Sequence, residues 1–323
     1  MKVQKTAEEL RSALEALFLR KGAEGGEAAL LADVLVEAEL RGRDTHGLCR
    51  LGGILSSLEA GRRGRPRIAE ERGPLVRVEG EDASGYAVGD FMVQAALRVA
   101  GREGFALVAA RDTRHSGMLG YYVSRLAEAD VVGVMMGHCS PLVAPWGGFD
   151  PVLGTNPLAA GFPWKPHPVL IDLGTSATTY GAVMNARRQG RPVPPDSALD
   201  AEGKYTTDPE SVHALSPFGG AKGYAVAMMV QLLAGPVAGA LGVPDKHRDY
   251  GLLLLAMRPD LFAPRDRYDE QVRAIVESVK SSRRREGVDE ILVPGERAYR
   301  ERERRLREGV EVEGRFWEML AKG

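Results

Sequence analysis

The stretch Ala38-Glu39-Leu40-Arg41-Gly42-Arg43-Asp44-Thr45-His46-Gly47-Leu48-Cys49-Arg50 joins two predicted helices and concentrates acid, hydroxyl, imidazole and guanidinium groups. Leucines at positions 48, 51, 55 and 58 follow at helical spacing. This pattern predicts a helix over residues 44–60, with Asp44 or Thr45 as its N-cap and His46 one turn from Arg50. The stretch is either a capped, solvated helix end or a site that moves a proton and holds a carboxylate.

The surroundings of His46 set two opposing effects on its pKa. The positive end of the helix dipole favours the neutral imidazole, whereas Asp44 favours the imidazolium. We therefore expect an imidazole that exchanges a proton near neutral pH. The guanidinium of Arg50 could then bind the carboxylate of a 2-oxo or 2-hydroxy acid, while His46 exchanges a proton with the 2-oxo or 2-hydroxy oxygen.

Length, composition and charge indicate an ordinary globular protein and exclude two classes of partner. The chain has 323 residues with 44% apolar content, enough for a full core and two lobes. Its formal net charge of -1 argues against nucleic acids and anionic membranes as partners. Cys49 and Cys139 lie far apart and outside any C-x-x-C pattern, which fits a reducing cytoplasm and predicts neither a disulfide framework nor a zinc site.

The periodicity of apolar residues predicts a helical N-terminal module followed by mixed strands and helices. Thr6 and Glu9 form a capping box at the first helix. Residues 61–67 form an Arg/Gly/Pro linker, and residues 182–209 an irregular surface segment. We predict helices over residues 6–21, 27–40, 44–60, 91–100, 224–243, 268–285 and the C-terminal segment, and strands over residues 74–78, 105–110, 131–136, 169–176, 251–257 and 291–293. Glycines and a proline interrupt the apolar run 224–243, which favours a buried helix over a membrane span.

Three further segments carry candidate functional groups, each with a plainer structural interpretation. His115 follows a strand end and precedes a helix, so it is either a working or a locally satisfied histidine. Backbone amides of residues 172–174, in the small and polar end of a buried strand, either approach a ligand closely or form a simple turn. Lys222 stands among glycines at a helix start, where an anion could bind. No G-x-G-x-x-G, Walker, H-E-x-x-H or G-x-S-x-G motif occurs, so any nucleotide site is neither of Rossmann nor of P-loop type.

Taken together, the segments resemble the type 2 malate/L-lactate dehydrogenase family, whose relatives include ureidoglycolate, sulfolactate, diketogulonate and piperideine-carboxylate oxidoreductases. The blocks that carry the resemblance are residues 40–47, 115–122, 141–148, 154–163, 171–176, 206–209 and 219–224. The resemblance implies transfer of hydride between NAD or NADP and a small 2-hydroxy or 2-oxo acid, and a homodimer.

The resemblance also implies an α+β fold that is distinct from Rossmann folds. Its NAD(P)-binding sheet is mixed and largely antiparallel, with helices packed on it. Residues 1–72 would form a helical domain completed by residues 219–242 and 294–323. Residues 73–218 and 243–293 would form the α+β cofactor-binding domain.

Site residues carry over by position. His46 matches the proton donor or acceptor, Thr45 the hydroxyl that orients it, and Arg50 the carboxylate clamp. His115 matches a residue with the proton-transfer role in some relatives, so the acid/base is His46 or His115, with His46 preferred. The positions that match cofactor contacts are Ser140, Asp172, Leu173, Gly174, Lys222, Gly295, Glu296 and Arg297. No metal is expected.

Departures from the family pattern leave the substrate open. Thr45 replaces a serine, Ile54 stands where some relatives have tyrosine, and Ala182 stands where relatives carry lysine or aspartate. Alternatives are a related family activity on ureidoglycolate, sulfolactate or a cyclic imino acid, and a non-catalytic NAD(P)-binding dimer. A metal-dependent lyase or hydrolase using His46, His115 and Asp172 as ligands is a further rival.

Overall fold

The computed structural model describes residues 2–61, 64–244 and 248–322. The strands are β1 (Lys2–Lys5), β2 (Arg67–Arg72), β3 (Leu75–Ala83), β4 (Phe105–Thr113), β5 (Val132–Gly137), β6 (Leu158–Phe162), β7 (Val169–Leu173), β8 (Ala198–Leu199), β9 (Ala214–Leu215), β10 (Tyr250–Met257) and β11 (Val310–Glu313). The α-helices are α1 (Ala7–Arg20), α2 (Gly25–Leu40), α3 (Leu51–Glu59), α4 (Gly85–Glu103), α5 (Leu119–Glu128), α6 (Tyr180–Gln189), α7 (Ala221–Leu232), α8 (Arg265–Ser281), α9 (Glu296–Glu308) and α10 (Gly314–Lys322).

A seven-stranded sheet in the order β2-β3-β4-β10-β5-β6-β7 organises the molecule. Only β3 and β4 pair in parallel, because helix α4 connects them; every other neighbouring pair is antiparallel. The central strand β10 carries four consecutive leucines, and Leu254 aligns with Val108 of β4 and Met135 of β5. This mixed, largely antiparallel sheet confirms the predicted α+β fold.

Helices α4 and α5 cover the sheet and form much of the core. Small residues allow the close approach: a Cβ at Gly161 of β6 would lie 2.3 Å from the carbonyl oxygen of Val123 in α5. Apolar residues of α1 and α2 join the same buried cluster as those of α4, α5 and the sheet. Burial of this apolar surface is the main source of stability for such a fold.

The two ends of the chain meet beside the N-terminal helices. Strand β1 pairs with β11 in antiparallel register, and α9 packs on α2. The buried carboxylate of Glu37 in α2 accepts hydrogen bonds from Arg11, Arg41 and Arg302, which tie α1, α2 and α9 together. Helix α7, in contrast, contacts β5. The division into a helical and a cofactor-binding domain therefore stays a proposal.

Most predicted elements are confirmed, including the capping box of α1. The Thr6 hydroxyl accepts from the Glu9 amide at 3.1 Å, and the Glu9 carboxylate accepts from the Thr6 amide at 2.8 Å. The predicted helix over residues 44–60 is wrong in its first turn. Residues 44–47 form a turn, Leu48–Arg50 a 3-10 turn, and α3 begins only at Leu51. The reason is that Glu39 of α2 caps the Leu48 amide, a role predicted for Asp44 or Thr45.

Other differences have local causes. Residues 182–209 are not wholly irregular, because Thr179 caps α6 by accepting from the Ala182 amide. Residues 291–293 form no strand, since the Val293 amide donates to the Glu296 carboxylate. The apolar helix ends early: Pro236 lies in a π-helical turn over Leu233–Val237 that follows α7. Strands β1, β2, β6, β8, β9 and β11 were not predicted. The prediction of a wholly helical C-terminal segment is wrong at β11, which pairs with β1 and separates α9 from α10.

Arg62 and Arg63 of the predicted linker lie outside the described residues. Across the described part of the chain, no helix is both long and apolar enough to traverse a bilayer.

Candidate active site

A cleft of about 890 Å³ lies between the loop after α2 and helix α3 on one side and the ends of strands β5, β7 and β10 on the other. This volume lies at the upper end of the range of roughly 300–1,000 Å³ typical of ligand sites. Arg43, Thr45, His46, Arg50 and Ile54 line its helical side. Its other side includes Tyr86, Arg114, His115, Ser140, Asp172, Leu173, Gly174, Thr179, Tyr180 and Tyr250.

The carboxylate of Glu39, in α2, holds the loop between α2 and α3 in place. This carboxylate accepts a hydrogen bond from the Leu48 amide at 2.7 Å. Gly47 packs against the same carboxylate, since a Cβ at Gly47 would be 2.1 Å from the Glu39 Oε1 atom. Burial raises the pKa of Glu39 to about 7, with the Leu48 amide acting in the opposite direction. The contacts of Glu39 with Gly47 and Leu48 therefore fix the position of the loop relative to α2.

Thr45 contacts both His46 and Arg50 on the helical side of the cleft, and we call this arrangement the Thr45 junction. Its Oγ1 atom lies 2.9 Å from Nδ1 of His46, and its carbonyl oxygen accepts from Nε of Arg50 at 2.7 Å. The start of α6 packs against it, since a Cβ at Gly181 would lie 3.0 Å from the Thr45 Cβ. The imidazole and the guanidinium are therefore held together by one residue. The leucine spacing predicted that His46 and Arg50 lie on one face of a regular helix. In the structure they do not, because residues 44–47 form a turn.

The electrostatic environment keeps His46 neutral. Burial lowers the pKa of His46 to about 4, and the positive charges of Arg50 and Arg43 act in the same direction. The predicted balance between the helix dipole and Asp44, which placed the pKa near neutrality, is therefore wrong. A neutral imidazole is the form that accepts a proton from an alcohol. An anion bound between the guanidinium groups would oppose their charges and raise the pKa.

His115 lies on the opposite wall, close to His46. The two rings are stacked with centroids 6.5 Å apart, and Tyr86 contacts the His115 ring edge-on at 5.9 Å. Gly117, at a φ of 72°, leaves space for the Tyr86 ring, which a Cβ there would meet at 2.4 Å. The structure thus brings both candidate histidines into one cleft.

The sheet side of the cleft offers hydroxyl, carboxyl and amide groups. Ser140 Oγ lies 2.5 Å from the hydroxyl of Tyr250. Burial raises the pKa of Asp172, while the charge of Arg43 and the amide of Gly120 lower it. A Cβ at Gly174 would meet its nearest neighbour, the carbonyl oxygen of Thr155, at 3.4 Å. Ser140 and residues 172–174, four of the eight predicted cofactor positions, therefore face the cleft.

The other four predicted cofactor positions lie outside the cleft lining. Lys222 is exposed in the first turn of α7. Gly295 supports the fold: at a φ of 94° it approaches Leu170 of β7, which a Cβ would meet at 2.8 Å. Glu296 accepts from Lys280 at 2.7 Å, and Arg297 is exposed. Their contact with a cofactor stays a prediction.

Two residues that matter to this geometry are not among the predicted site residues. Glu39 and Arg43 belong to the quoted stretch, but their roles depend on the turn that replaces the first helical turn. An acidic residue near the end of an apolar helix was the available signal for Glu39. Within the described residues, no three His, Cys, Asp or Glu side chains are grouped as metal ligands, so His46, His115 and Asp172 do not form such a set.

Comparison with known proteins gives one consistent result. The family model described as malate/L-lactate dehydrogenase matches residues 6–321. L-sulfolactate dehydrogenase of Methanothermobacter thermautotrophicus is 34% identical over 304 residues, covering 90% of this chain and 87% of that protein. Malate dehydrogenase of Pyrococcus horikoshii is 31% identical over 313 residues, covering 91% and 87%. A dehydrogenase structure from Sinorhizobium meliloti superposes with a TM-score of 0.91 at 31% identity, covering 100% of this chain and 98% of that chain.

Proposed function

Because the chain belongs to the malate/L-lactate dehydrogenase family of oxidoreductases, we propose that it transfers hydride between a nicotinamide coenzyme and a small 2-hydroxy or 2-oxo acid. Members of this family are NAD(P)-dependent dehydrogenases. The observation that carries the proposal is the junction at Thr45, which holds a neutral imidazole and a guanidinium side by side at the wall of one cleft.

The chain's own residues supply binding and proton transfer. Arg50 uses the guanidinium nitrogens not engaged by Thr45 to bind the substrate carboxylate in a planar fork. His46 accepts the hydroxyl proton during oxidation and returns it to the carbonyl oxygen during reduction. The Thr45 hydroxyl can accept a hydrogen bond from Nδ1–H of His46, and in that tautomer Nε2 carries the lone pair that acts as the base.

The cleft fits a nicotinamide coenzyme in its chemistry. When bound, the coenzyme supplies the hydride acceptor or donor, chemistry that no protein side chain provides. Ser140 and the amides of residues 172–174 would hold it on the sheet side of the cleft. Because Gly174 has no side chain, a ligand could approach its backbone closely. Lys222 and residues 295–297 lie outside this cleft, and their role in binding the coenzyme rests on the family resemblance alone.

A substrate and coenzyme panel tests the proposal. Purified protein is mixed with NADH or NADPH and each of pyruvate, oxaloacetate, 3-sulfopyruvate and a cyclic imino acid, and loss of reduced nicotinamide absorbance is followed. We expect turnover of at least one 2-oxo acid. Arg50→Met should then raise KM about 10- to 100-fold, since it removes a charge-assisted contact. NADH binding without turnover of any acid would support a non-catalytic dimer.

A second assay, with ureidoglycolate and NAD or NADP, follows oxidation and tests for the ureidoglycolate activity of the family. Turnover of the imino acid alone would assign a reductase of cyclic imines. Thr45, in place of serine, keeps the hydroxyl that orients His46.

We also propose a homodimer. Its support is a run of exposed apolar side chains along α7 and the following turn, a surface that monomeric proteins rarely leave uncovered. These side chains are Met229, Leu232, Val237, Leu241 and Val243. Light scattering coupled to gel filtration should give twice the mass of the chain. Cytoplasmic location stays a prediction, supported by the unpaired Cys49 and Cys139.

A further inference from the structure

Arg43 holds a fixed position at the end of α2. The Arg43 amide donates to the Ala38 carbonyl at 2.8 Å, and the Gly42 amide donates to the Glu39 carbonyl at 2.9 Å. With Gly42 at a φ of 67°, these two bonds form a Schellman motif, which is a rigid helix ending. The backbone of Arg43 is therefore preorganised where the guanidinium lines the cleft.

The arginines that line the cleft differ in whether they have a protein partner. Three arginines line it in the described part of the chain: Arg43, Arg50 and Arg114. Arg114 forms an ion pair with Asp82 at 2.6 Å, and Arg50 donates to Thr45. The Arg43 guanidinium, by contrast, forms no hydrogen bond or ion pair with any described residue. Arg43 is thus the cation of this wall that lacks a protein partner among the described residues.

Arg43 lines the cleft together with His46 and Asp172. Its charge lowers the pKa of His46 on one side and that of Asp172 on the other. The guanidinium therefore lies within Coulombic reach of the proton-transfer group as well as of the sheet side. Asp172 acts on Arg43 only through space, since no described carboxylate forms a hydrogen bond or ion pair with this half-buried guanidinium. An anionic ligand group in direct contact would offset the cost of burying its charge.

We propose that Arg43 binds a second anionic group of the substrate, on the carbon next to the one that carries the hydroxyl. This inference rests on the proposed function, in which Arg50 holds the first carboxylate. The preferred acid is then a dianion whose distal group is a carboxylate or a sulfonate, and Arg43 is the residue that selects it. A guanidinium binds the oxygens of either group through the same planar donors.

Steady-state kinetics of Arg43→Gln tests this selection. Oxaloacetate and 3-sulfopyruvate are the dianionic probes, and pyruvate and 2-oxobutyrate are the monoanionic ones. We expect kcat/KM for at least one dianion to fall about 10- to 100-fold, mainly through KM, while kcat/KM for the monoanions changes less than about threefold. Which dianion responds more identifies the distal group as carboxylate or sulfonate.

Two control variants separate binding from general electrostatics and from folding. Arg188→Gln removes an exposed charge that acts on Cys49 but does not line the cleft, and it should leave the ratio of dianion to monoanion unchanged. Arg43→Lys keeps the charge without the fork and should recover part of that ratio. Thermal melting of each variant verifies the fold.

The outcomes distinguish this inference from the proposed function. A wild-type enzyme that turns over pyruvate better than either dianion would overturn the role of Arg43 and leave the proposed function standing. An equal loss for dianions and monoanions in Arg43→Gln would also overturn it. A wild-type protein that reduces no 2-oxo acid with either coenzyme would remove the proposed function, and this inference with it.

Discussion

The imidazole rings of His46 and His115 are stacked across the cleft, with centroids 6.5 Å apart and planes 20° from parallel. One substrate oxygen could thus be approached from either ring. Their supports differ: His46 is hydrogen-bonded to Thr45, the residue that also holds Arg50, whereas His115 packs against Tyr86. A proton-transfer group works best when its position relative to the bound carboxylate is fixed, and this favours His46.

Replacing each histidine separately tests that preference. His46→Ala should lower kcat about 10²- to 10⁴-fold, the usual contribution of a general acid or base, and leave NADH affinity nearly unchanged. His115→Ala should have a smaller effect. Steady-state rates and NADH fluorescence titrations measure both. His213→Ala, outside the cleft lining, is the matched control. An active His46→Ala enzyme would transfer the role to His115.

The pKa of His46 should depend on the anion in the cleft. In the free protein it is lowered to about 4, by burial and by the charges of Arg50 and Arg43. Titration of ring-labelled histidine by NMR, with His46→Asn for assignment, should therefore show no protonation of His46 above about pH 5. Saturating malonate should move the titration upward, because its carboxylates oppose both charges. An unchanged titration would mean that the anion binds elsewhere.

Glu39 should make the protein less stable as the pH rises. Its pKa is raised from 4.5 to about 7, mainly by burial. Between these values the folded state holds a proton that the unfolded state has released, so stability falls with rising pH, by up to about 3 kcal/mol. Glu39→Gln keeps an oxygen for the Leu48 amide and removes the charge. Urea unfolding at pH 4.5 and pH 8 should show a loss in the wild type that is much smaller in the variant.

Gly47 should not tolerate a side chain. In Gly47→Ala the new Cβ would lie 2.1 Å from the Glu39 carboxylate, so the hydrogen bond to Leu48 must be displaced. We expect a loss of about 1–3 kcal/mol in unfolding free energy and a reduced kcat, since the Thr45 junction moves. Gly52→Ala, which meets no atom within 4 Å in α3, should instead be neutral or stabilising by up to about 1 kcal/mol. Equal losses for the two variants would contradict the role of Glu39.

The sequence alone determined the class of fold and most of the candidate site. Apolar periodicity placed α1, α2, α4 and the central strands, because these elements bury a continuous face and their local pattern agrees with the core. The motif at residues 40–47 and six further blocks identified the family, and with it His46, Thr45, His115 and Arg50. These four residues line a single cleft.

Only the tertiary structure decided how the site is assembled. The leucine spacing after Leu48 predicted a helix that begins at residue 44, but a carboxylate from α2 caps the Leu48 amide, so residues 44–47 form a turn. Such a contact joins two helices and leaves no local periodic signal. The neutral state of His46 and the absence of a described partner for Arg43 likewise depend on burial and on charges brought together by folding. Periodicity records which face of an element is buried, whereas pKa values and ion pairing depend on what lies across the cleft.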